Sequence, residues 1–398
     1  MRPQRLWPVA VTSMLAVVLA SPTPGQTTQK YKYDVLGRLI EVERVGAGKI
    51  FYTYDAAGNR TSQSSDTGVT TASANFGPDQ GYLNQVRNPR FLGDVDGDGR
   101  EDMIGAADDK VYVALAQPDG TFGAPIAASA SFTYNATWNS ADVYPRMAGD
   151  VDGDQKADLV GFAGSAVYVA PGQTGGTFGA LIKAIDGYGA AVSDWASQDT
   201  TPRLLGDVTG DGKADVVAIG KAAVFVLAGQ GDKTFAAPIQ ATVQFTYNGT
   251  WTSQNRYPRM LAKVDGDNCA DLVGFAGVAV YVALSNCDGT FKPAIKGVDG
   301  YGDAVGAWSN FETYLRFVKD VNGDGKADVI GFGGSAVFIS LGVGDGTFGP
   351  AVTYGSPFTA AWGPQSTRPR MVGNTDLDSR ADFFAVGDTG VKRQQSPF

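Results

Sequence analysis

The side chains with the clearest chemical potential in this chain are carboxylates at fixed spacing. Asp150-Val151-Asp152-Gly153-Asp154-Gln155-Lys156-Ala157-Asp158 puts side-chain oxygens at positions 1, 3, 5 and 9 of a nine-residue loop, with Gly153 easing the turn. Oxygens so spaced can converge on one hard cation, and calcium takes roughly six to eight of them at flexible geometry. The pattern returns as Asp94/Asp96/Asp98/Asp102, Asp207/Thr209/Asp211/Asp215 and Asp320/Asn322/Asp324/Asp328. Carboxylates crowded without a counter-charge repel one another, so the sequence predicts Ca2+ in these four loops. Asn374/Asp376/Asp378/Asp382 is a weaker set, because Leu377 replaces the glycine that eases the turn. In the remaining copy Lys263 takes the first position beside Asp265, Asp267 and Asp271, which predicts an empty or weakly filled loop. Strand-like runs flank the loops and no Glu stands at position 12, which sets them apart from the EF-hand.

A second set of residues is aromatic. Trp138 precedes Asp150, Trp195 Asp207, Trp251 Lys263, Trp308 Asp320 and Trp362 Asn374, always at the same offset from the loop's first ligand position; Tyr82 takes that place before Asp94. Aromatic faces pack on the apolar face of a sugar ring, while Tyr and Asn tips meet hydroxyls. Tyr134, Asn135, Tyr247 and Asn248 are the natural companions in one flavour of repeat, Tyr188 and Tyr301 in the other. The competing reading makes each Trp blade-to-blade core. Arg90, Arg146, Arg203, Arg259, Arg316 and Arg370 recur four residues before the ligand position, a pattern that points to a structural ion pair or an inner-strand role.

Composition removes other chemistries. The chain of 398 residues has no histidine, which excludes Ser-His-Asp and Cys-His nucleophiles, His general bases and His-ligated zinc. Net charge is −9 with no basic stripe, which argues against a nucleic-acid partner. The acids are committed to the repeated loops and no unique carboxylate pair stands out, so a lyase or glycosidase is disfavoured.

The elements that must position these residues follow from the repeat. First ligand positions fall at 94, 150, 207, 263, 320 and 374, a nearly constant interval. A period in the fifties with strand-like content signals a propeller or solenoid. Each copy offers four short strands, the second reading Arg146 to Gly149, Ala157 to Phe162, Ala166 to Ala170, then a Gly turn and Thr177-Phe178-Gly179 leading into the last. The fold class is therefore all-β, a propeller of four-stranded antiparallel blades, six or seven in number. Loops and third-to-fourth-strand turns share one face, and the tryptophan connectors fall near the other. Cys269 opens a second strand and Cys287 follows the next, so antiparallel pairing allows a disulfide; two free thiols are the alternative. The sixth copy stops at Val391-Lys392-Arg393-Gln394, where an apolar strand should run. Asn75-Phe76-Gly77 echoes the last strand, so either the N-terminal side completes the final blade or the ring is incomplete.

Residues 1–20 read as a secretory signal, with Arg2 and Arg5 before an apolar run and small residues at Val18-Leu19-Ala20. No later run reaches a membrane-spanning length. Residues 21–29 form a linker, 30–63 a leader, 64–79 a linker or closing strand, and 80–398 the propeller. In the leader, Tyr31-Lys32-Tyr33-Asp34 with Gly37-Arg38 and Tyr52-Thr53-Tyr54-Asp55 with Gly58-Asn59-Arg60 resemble the YD (RHS-type) repeats of bacterial secreted and toxin-delivery proteins.

Arg146-Met147-Ala148-Gly149-Asp150 through Ala166-Val167-Tyr168-Val169-Ala170 resembles the FG-GAP/VCBS calcium repeat of integrin α-subunit propellers. It is more similar still to repeats of the Psathyrella velutina lectin family, over residues 80 to 390. That resemblance implies a calcium-bearing propeller, seven-bladed in the family, binding N-acetylglucosamine-type sugars between blades. The expectation is a secreted, extracellular or cell-surface protein with multivalent, non-catalytic sites for glycans or glycoconjugates. The alternative is an adhesion or spacer module of a YD-repeat protein, with purely structural calcium.

Overall fold

The computed structural model describes residues 69–398 except Ser193 and Ala307, and in the N-terminal part 15–16, 29–34, 36–44, 48–54, 58 and 60–66. The expected signal peptide and the linker after it fall outside the described residues, apart from Leu15, Ala16 and Gln29. Around one axis stand six four-stranded antiparallel sheets. In blade two the inner strand is Arg146–Gly149, the second Asp158–Phe162, the third Ala166–Ala170 and the outer Ile182–Asp186. The register pairs Arg146 with Gly161 and Leu159 with Ala170.

The second strand is sandwiched by both neighbouring blades, so it is apolar on both faces instead of alternating. All five residues of Asp158–Phe162 are buried. The core is divided into six apolar clusters among the described residues, each joining two adjacent blades. In blade one close approach at the axis needs glycine at the end of the inner strand, since a Cβ on Gly93 would lie 2.8 Å from that of Ala148; blades four and five end theirs in Ala262 and Lys319.

Two rings of backbone hydrogen bonds, each spanning all six blades, show closure. On the loop face, the amide at loop position 8 donates to the position 1 carbonyl of the preceding blade: Ala157 to Asp94, Ala214 to Asp150, Ala270 to Asp207, Ala327 to Lys263 and Ala381 to Asp320, at 2.5 to 2.8 Å. Glu101 to Asn374, at 2.8 Å, completes that ring. On the connector face Ala141 donates to Val86, Gln198 to Asp142, Gln254 to Asp199, Phe311 to Asn255 and Gln365 to Glu312; Gln85 to Ser366, at 2.6 Å, completes the second.

The last blade is built from two distant stretches of the chain. Arg370–Gly373, Asp382–Gly387 and Gly390–Gln394 are its first three strands, and Thr70–Ser73 pairs as the outer one. The polar stretch at 391–394, expected to break the pattern, is thus a full third strand with only Lys392 part-exposed. Asn75-Phe76-Gly77 follows the closing strand and does not form it; Phe76 opens the connector of blade one. The count is six blades, not seven.

The leader strands Gln29–Tyr33, Leu39–Arg44, Gly48–Tyr54 and Arg60–Asp66 form an antiparallel meander. Asp34 caps its first turn, accepting the amides of Leu36 and Arg38 at 2.9 Å and the Arg38 guanidinium at 2.7 Å. Arg38 lies over the Tyr54 ring at 4.8 Å. The last leader strand runs beside Val352–Tyr354, the outer strand of blade five.

Candidate functional sites: aromatic notches and acidic loops

Each connector from one blade's outer strand to the next inner strand carries an aromatic pair. Its first member, Phe76, Phe132, Tyr188, Phe245 or Tyr301, has φ between 58° and 67°. That left-handed conformation costs on the order of 1–2 kcal/mol for a side-chain-bearing residue. Burial of the ring holds it, as Phe132 shows with no exposed surface. The second member is the recurring tryptophan, or Tyr82 in blade one, with ring centroids 4.7 Å apart for Phe132–Trp138, 5.0 Å for Phe245–Trp251 and 5.4 Å for Phe76–Tyr82. Its edge stands on a second-strand glycine: a Cβ on Gly161 or Gly274 would meet Trp138 or Trp251 at 2.6 Å.

The buried arginines fix the backbone of this connector. Arg259 donates from Nη1 to the carbonyls of Trp251 at 2.9 Å and Phe245 at 3.2 Å, and from Nε to Gln254 at 2.7 Å. Arg203 treats Trp195 and Tyr188 alike, at 2.8 and 3.1 Å. They are inner-strand residues, and among the described residues none of the six makes a salt bridge with a carboxylate. Burial pulls the Arg259 guanidinium down to about 10, which leaves it charged at neutral pH.

Further along the connector comes a ring that sequence reasoning missed. Tyr144, Tyr257 and Tyr314 stand edge-on to Trp138, Trp251 and Trp308, with centroids 6.2 to 6.3 Å apart. Tyr168, Tyr281 and Phe338 on the third strands add a further wall. The result is three notches on the connector face, floored by Ala163-Gly164, Ala276-Gly277 and Gly333-Gly334. Their volumes are roughly 280, 560 and 360 Å³ around Trp138, Trp251 and Trp308 respectively. The five tyrosine hydroxyls make no hydrogen bond to protein among the described residues. Sequence carried a signal, a Tyr at a fixed offset before the Pro-Arg or Leu-Arg pair, but in only three of six copies.

In the other blades the second ring is absent. Thr201 replaces it in blade three, buried and bonded to Ser197 at 3.2 Å and to the carbonyl of Asp194. Arg368 replaces it in blade six, paired with Asp388 at 2.7 Å. Trp195 at 7% exposed is as buried as Trp138 at 6%, so the missing second ring and not burial sets its corner apart, and Trp362 is half-buried with its Nε1 bonded to the Val386 carbonyl at 3.2 Å.

The companions expected for the tryptophans are placed differently. Tyr134 lies under the Arg87 guanidinium, 3.8 Å away, and Arg87 pairs with Asp108 of blade one. Asn135 bonds through its amide to the Asp108 carbonyl at 2.9 Å, and Asn248 to Lys221 at 2.9 Å. Tyr134, Asn135, Tyr247 and Asn248 therefore sit over the turn of the preceding blade, beside the notch and not in its lining. Tyr301 is buried, its hydroxyl 3.0 Å from Ser340, and burial pushes its phenol far up. It helps wall the Trp308 notch with its ring alone. Tyr188 is half-buried against Trp195 at 5.2 Å.

On the opposite face the acidic loops share one backbone. Position 1 accepts three or more amide hydrogen bonds, Asp94 from Gly97 at 2.8 Å, Asp98 at 3.1 Å and Gly99 at 2.8 Å. Position 9 is buried and accepts two, Asp158 from Val151 at 2.9 Å and Gly172 at 2.8 Å. Desolvation pushes Asp102 up to about 7 and Asp158, Asp215, Asp271 and Asp328 up to about 6, against the opposing pull of those amides. Oxygens of Asp94, Asp96 and Asp102 lie within 4.8 Å of one another, as do those of Asp150, Asp152 and Asp158. Position 5 is held by the residue two on, as in Lys156–Asp154 at 2.7 Å and Lys326–Asp324 at 3.2 Å. Lys233 of blade three reaches Asp152.

Loops four and six depart from this arrangement. In loop four Cys269 and Cys287 are disulfide-bonded, Cα atoms 5.6 Å apart, and the bridge lies against Gly210 of loop three. Lys263, at that loop's first position, is exposed and supplies no ligand oxygen from its side chain. In loop six the Arg393 guanidinium bridges Asp376 and Asp382. Of the weaker expected ligand set Asn374, Asp376, Asp378 and Asp382, two carboxylates thus have a side-chain cation between them.

Comparison with known proteins agrees with this architecture. Residues 94–161 match the family model of the FG-GAP-like repeat. Among solved structures the chain is similar to a lectin of Agrocybe aegerita, whose structure is described as recognising non-reducing terminal N-acetylglucosamine. The two are 27% identical, with a TM-score of 0.66 over 88% of each chain. The Photorhabdus luminescens Tc holotoxin pore aligns over 92% of this chain and 16% of its own, at 16% identity and TM-score 0.52, a likeness of fold alone. A search of curated proteins finds no match. Six self-closing blades, the matched repeat and the lectin-like architecture lead to one assignment: the chain is a six-bladed β-propeller that carries the FG-GAP-like repeat.

Proposed function

We propose that this propeller is a non-catalytic, multivalent carbohydrate-binding protein, exported and stabilised by calcium, with its binding sites in the notches of blades two, four and five. The observation that carries this is the aromatic corner itself. A tryptophan, part-exposed in blades four and five and 6% exposed in blade two, lines with a tyrosine and a third ring a space of sugar size, and the free tyrosine hydroxyls supply hydrogen bonds. N-acetylglucosamine-type glycans are favoured by the likeness to the Agrocybe aegerita lectin. Three such sites on one face give avidity on a glycan-coated surface even when each is weak.

Calcium fits the loops unevenly. Asp94, Asp96, Asp98 and Asp102 would hold it in loop one, Asp150, Asp152, Asp154 and Asp158 in loop two, and the corresponding residues with Thr209 and Asn322 in loops three and five. A bound dication would offset the mutual repulsion of carboxylates that burial already destabilises. Loops four and six do not fit.

The test is titration of the full chain with N-acetylglucosamine oligomers by calorimetry. Trp251→Ala should abolish the blade-four contribution and cut avidity at least tenfold, with unchanged circular dichroism. Undiminished binding by variants of all three notches would sink the reading. A second reading, an adhesion or spacer module, draws on the burial of Trp138 and Trp195 and on the leader sheet beside blade five. Silence of calcium-loaded, folded protein on a glycan array would favour it.

A further inference from the structure

Arg393 occupies a position that in the other five blades is aliphatic. The strand register aligns it with Val113, Val169, Val226, Val282 and Ile339, each buried between blades. Its own side chain is 5% exposed. A guanidinium there must find partners, because an unpaired buried charge is strongly destabilising.

It finds three. Nε donates to Asp382 Oδ2 at 2.6 Å, and Nη2 bridges Asp376 and Asp382. Nη1 donates to the Asp119 carbonyl of blade one at 2.9 Å. Gly120 makes the room, since a Cβ there would collide with the guanidinium carbon at 2.1 Å. The loop is rewired around this group. In five loops position 9 Oδ2 takes the amide of position 2, as in Val95 to Asp102 at 2.8 Å. In the sixth that oxygen is taken by Arg393.

Charge follows geometry. Asp376, Asp378 and Asp382 pair with Arg393 and Arg380, whereas among Asp94, Asp96, Asp98 and Asp102 only Asp98 is paired, with Arg100. Counting the ligand-position carboxylates and the arginines paired with them, loop six sums to −1 (three Asp, two Arg) where loop one sums to −3 (four Asp, one Arg), and a cation already lies between Asp376 and Asp382. Arg393 also pairs in register with Thr70 of the N-terminal strand. One residue thus touches the last loop, the closing strand and the first blade.

We infer that Arg393 is a built-in cation replacing calcium at the ring's closing seam, so that loop six binds no divalent ion and the seam stays shut when calcium is withdrawn. This rests in part on the calcium reading of the other loops. The seam is where ring opening would begin, since the closing strand and its partner meet there with no direct covalent connection between them.

Two measurements on the full chain decide it. Ion stoichiometry by native mass spectrometry in calcium should be the same for wild type and Asp376→Asn, while Asp150→Ala loses one ion; loss of one ion by Asp376→Asn would overturn the inference. Arg393→Gln, where it folds, should gain one ion. Amide exchange of residues 70–73 and 391–394 should stay as slow in chelator as in calcium, and should accelerate at least tenfold in Asp376→Asn. Faster seam exchange on chelating the wild type, or none in Asp376→Asn, would refute the lock. A wild type that takes up no ion would remove the calcium reading alone, and the Asp376→Asn exchange would still judge Arg393.

Discussion

The arginine at the start of each inner strand shows how one side chain can shape a site it never enters. Arg259 joins the carbonyls of Phe245 and Trp251 to the side chain of Gln254, so the connector's path depends on it. Replacing it by Leu leaves buried acceptors unpaired, at about 1–3 kcal/mol each. Arg259→Leu should lower the melting temperature and shift Trp251 emission to the red, whereas Arg256→Leu, whose parent side chain is exposed and paired with Asp303, should do neither. The recurrence of these arginines was visible in sequence, and so was their strand. Their role was not, because hydrogen bonds to backbone carbonyls leave no partner residue to find. The tyrosines at 144, 257 and 314 stayed hidden for a related reason. A contact repeated in half the copies is diluted among copies that lack it.

At the scale of the loop, the position 9 carboxylates set a pH dependence. Burial raises Asp102 to about 7 and Asp158, Asp215 and Asp328 to about 6 in the folded chain, from an unfolded value of 3.8. The folded state then holds more protons than the unfolded between those values, so stability is greatest below about pH 4 on this account and falls as pH rises through 6 to 7. Metal-stripped protein should accordingly melt a few degrees higher at pH 5.5 than at pH 7.5. Saturating calcium should raise the pH 7.5 value and flatten the difference; equal melting of stripped protein at both pH values would refute this account of the loops. The ligand spacing of these loops was plain from sequence, since it is local. That Arg393 folds back from the third strand onto Asp382 and the sixth loop was not, because only strand pairing brings them together.

Across the whole molecule, six repeats were legible from the nearly constant interval between acidic loops and from the continuous apolar second strands, with the blade count open between six and seven. The closing strand was legible only as one of two alternatives for residues 64–79. Thr70-Thr71-Ala72-Ser73 has no apolar alternation, and its partner Gly390–Gln394 is polar, so neither announces a strand. Gly390–Gln394 becomes one by hairpin pairing with Asp382–Gly387, and its free edge then supplies the hydrogen bonds that make Thr70–Ser73 a strand from a distant part of the chain. The loss of either strand should therefore be felt everywhere. A chain ending at residue 389 should leave Thr70–Ser73 without a partner, lower the melting temperature by roughly 5 °C or more and expose the seam to protease; an unchanged melt would mean that the ring does not depend on its final strand.

The same closure has a temporal side. A ribosome delivers Thr70–Ser73 long before Gly390–Gln394. Through the synthesis of everything between them the nascent chain holds an unpaired edge, and five blades can stack only as an open arc. Completion is thus postponed until the late strand emerges. Such a delay suits the export proposed for this chain, because a translocon threads polypeptide unfolded and the two strands are then free to meet on the far side.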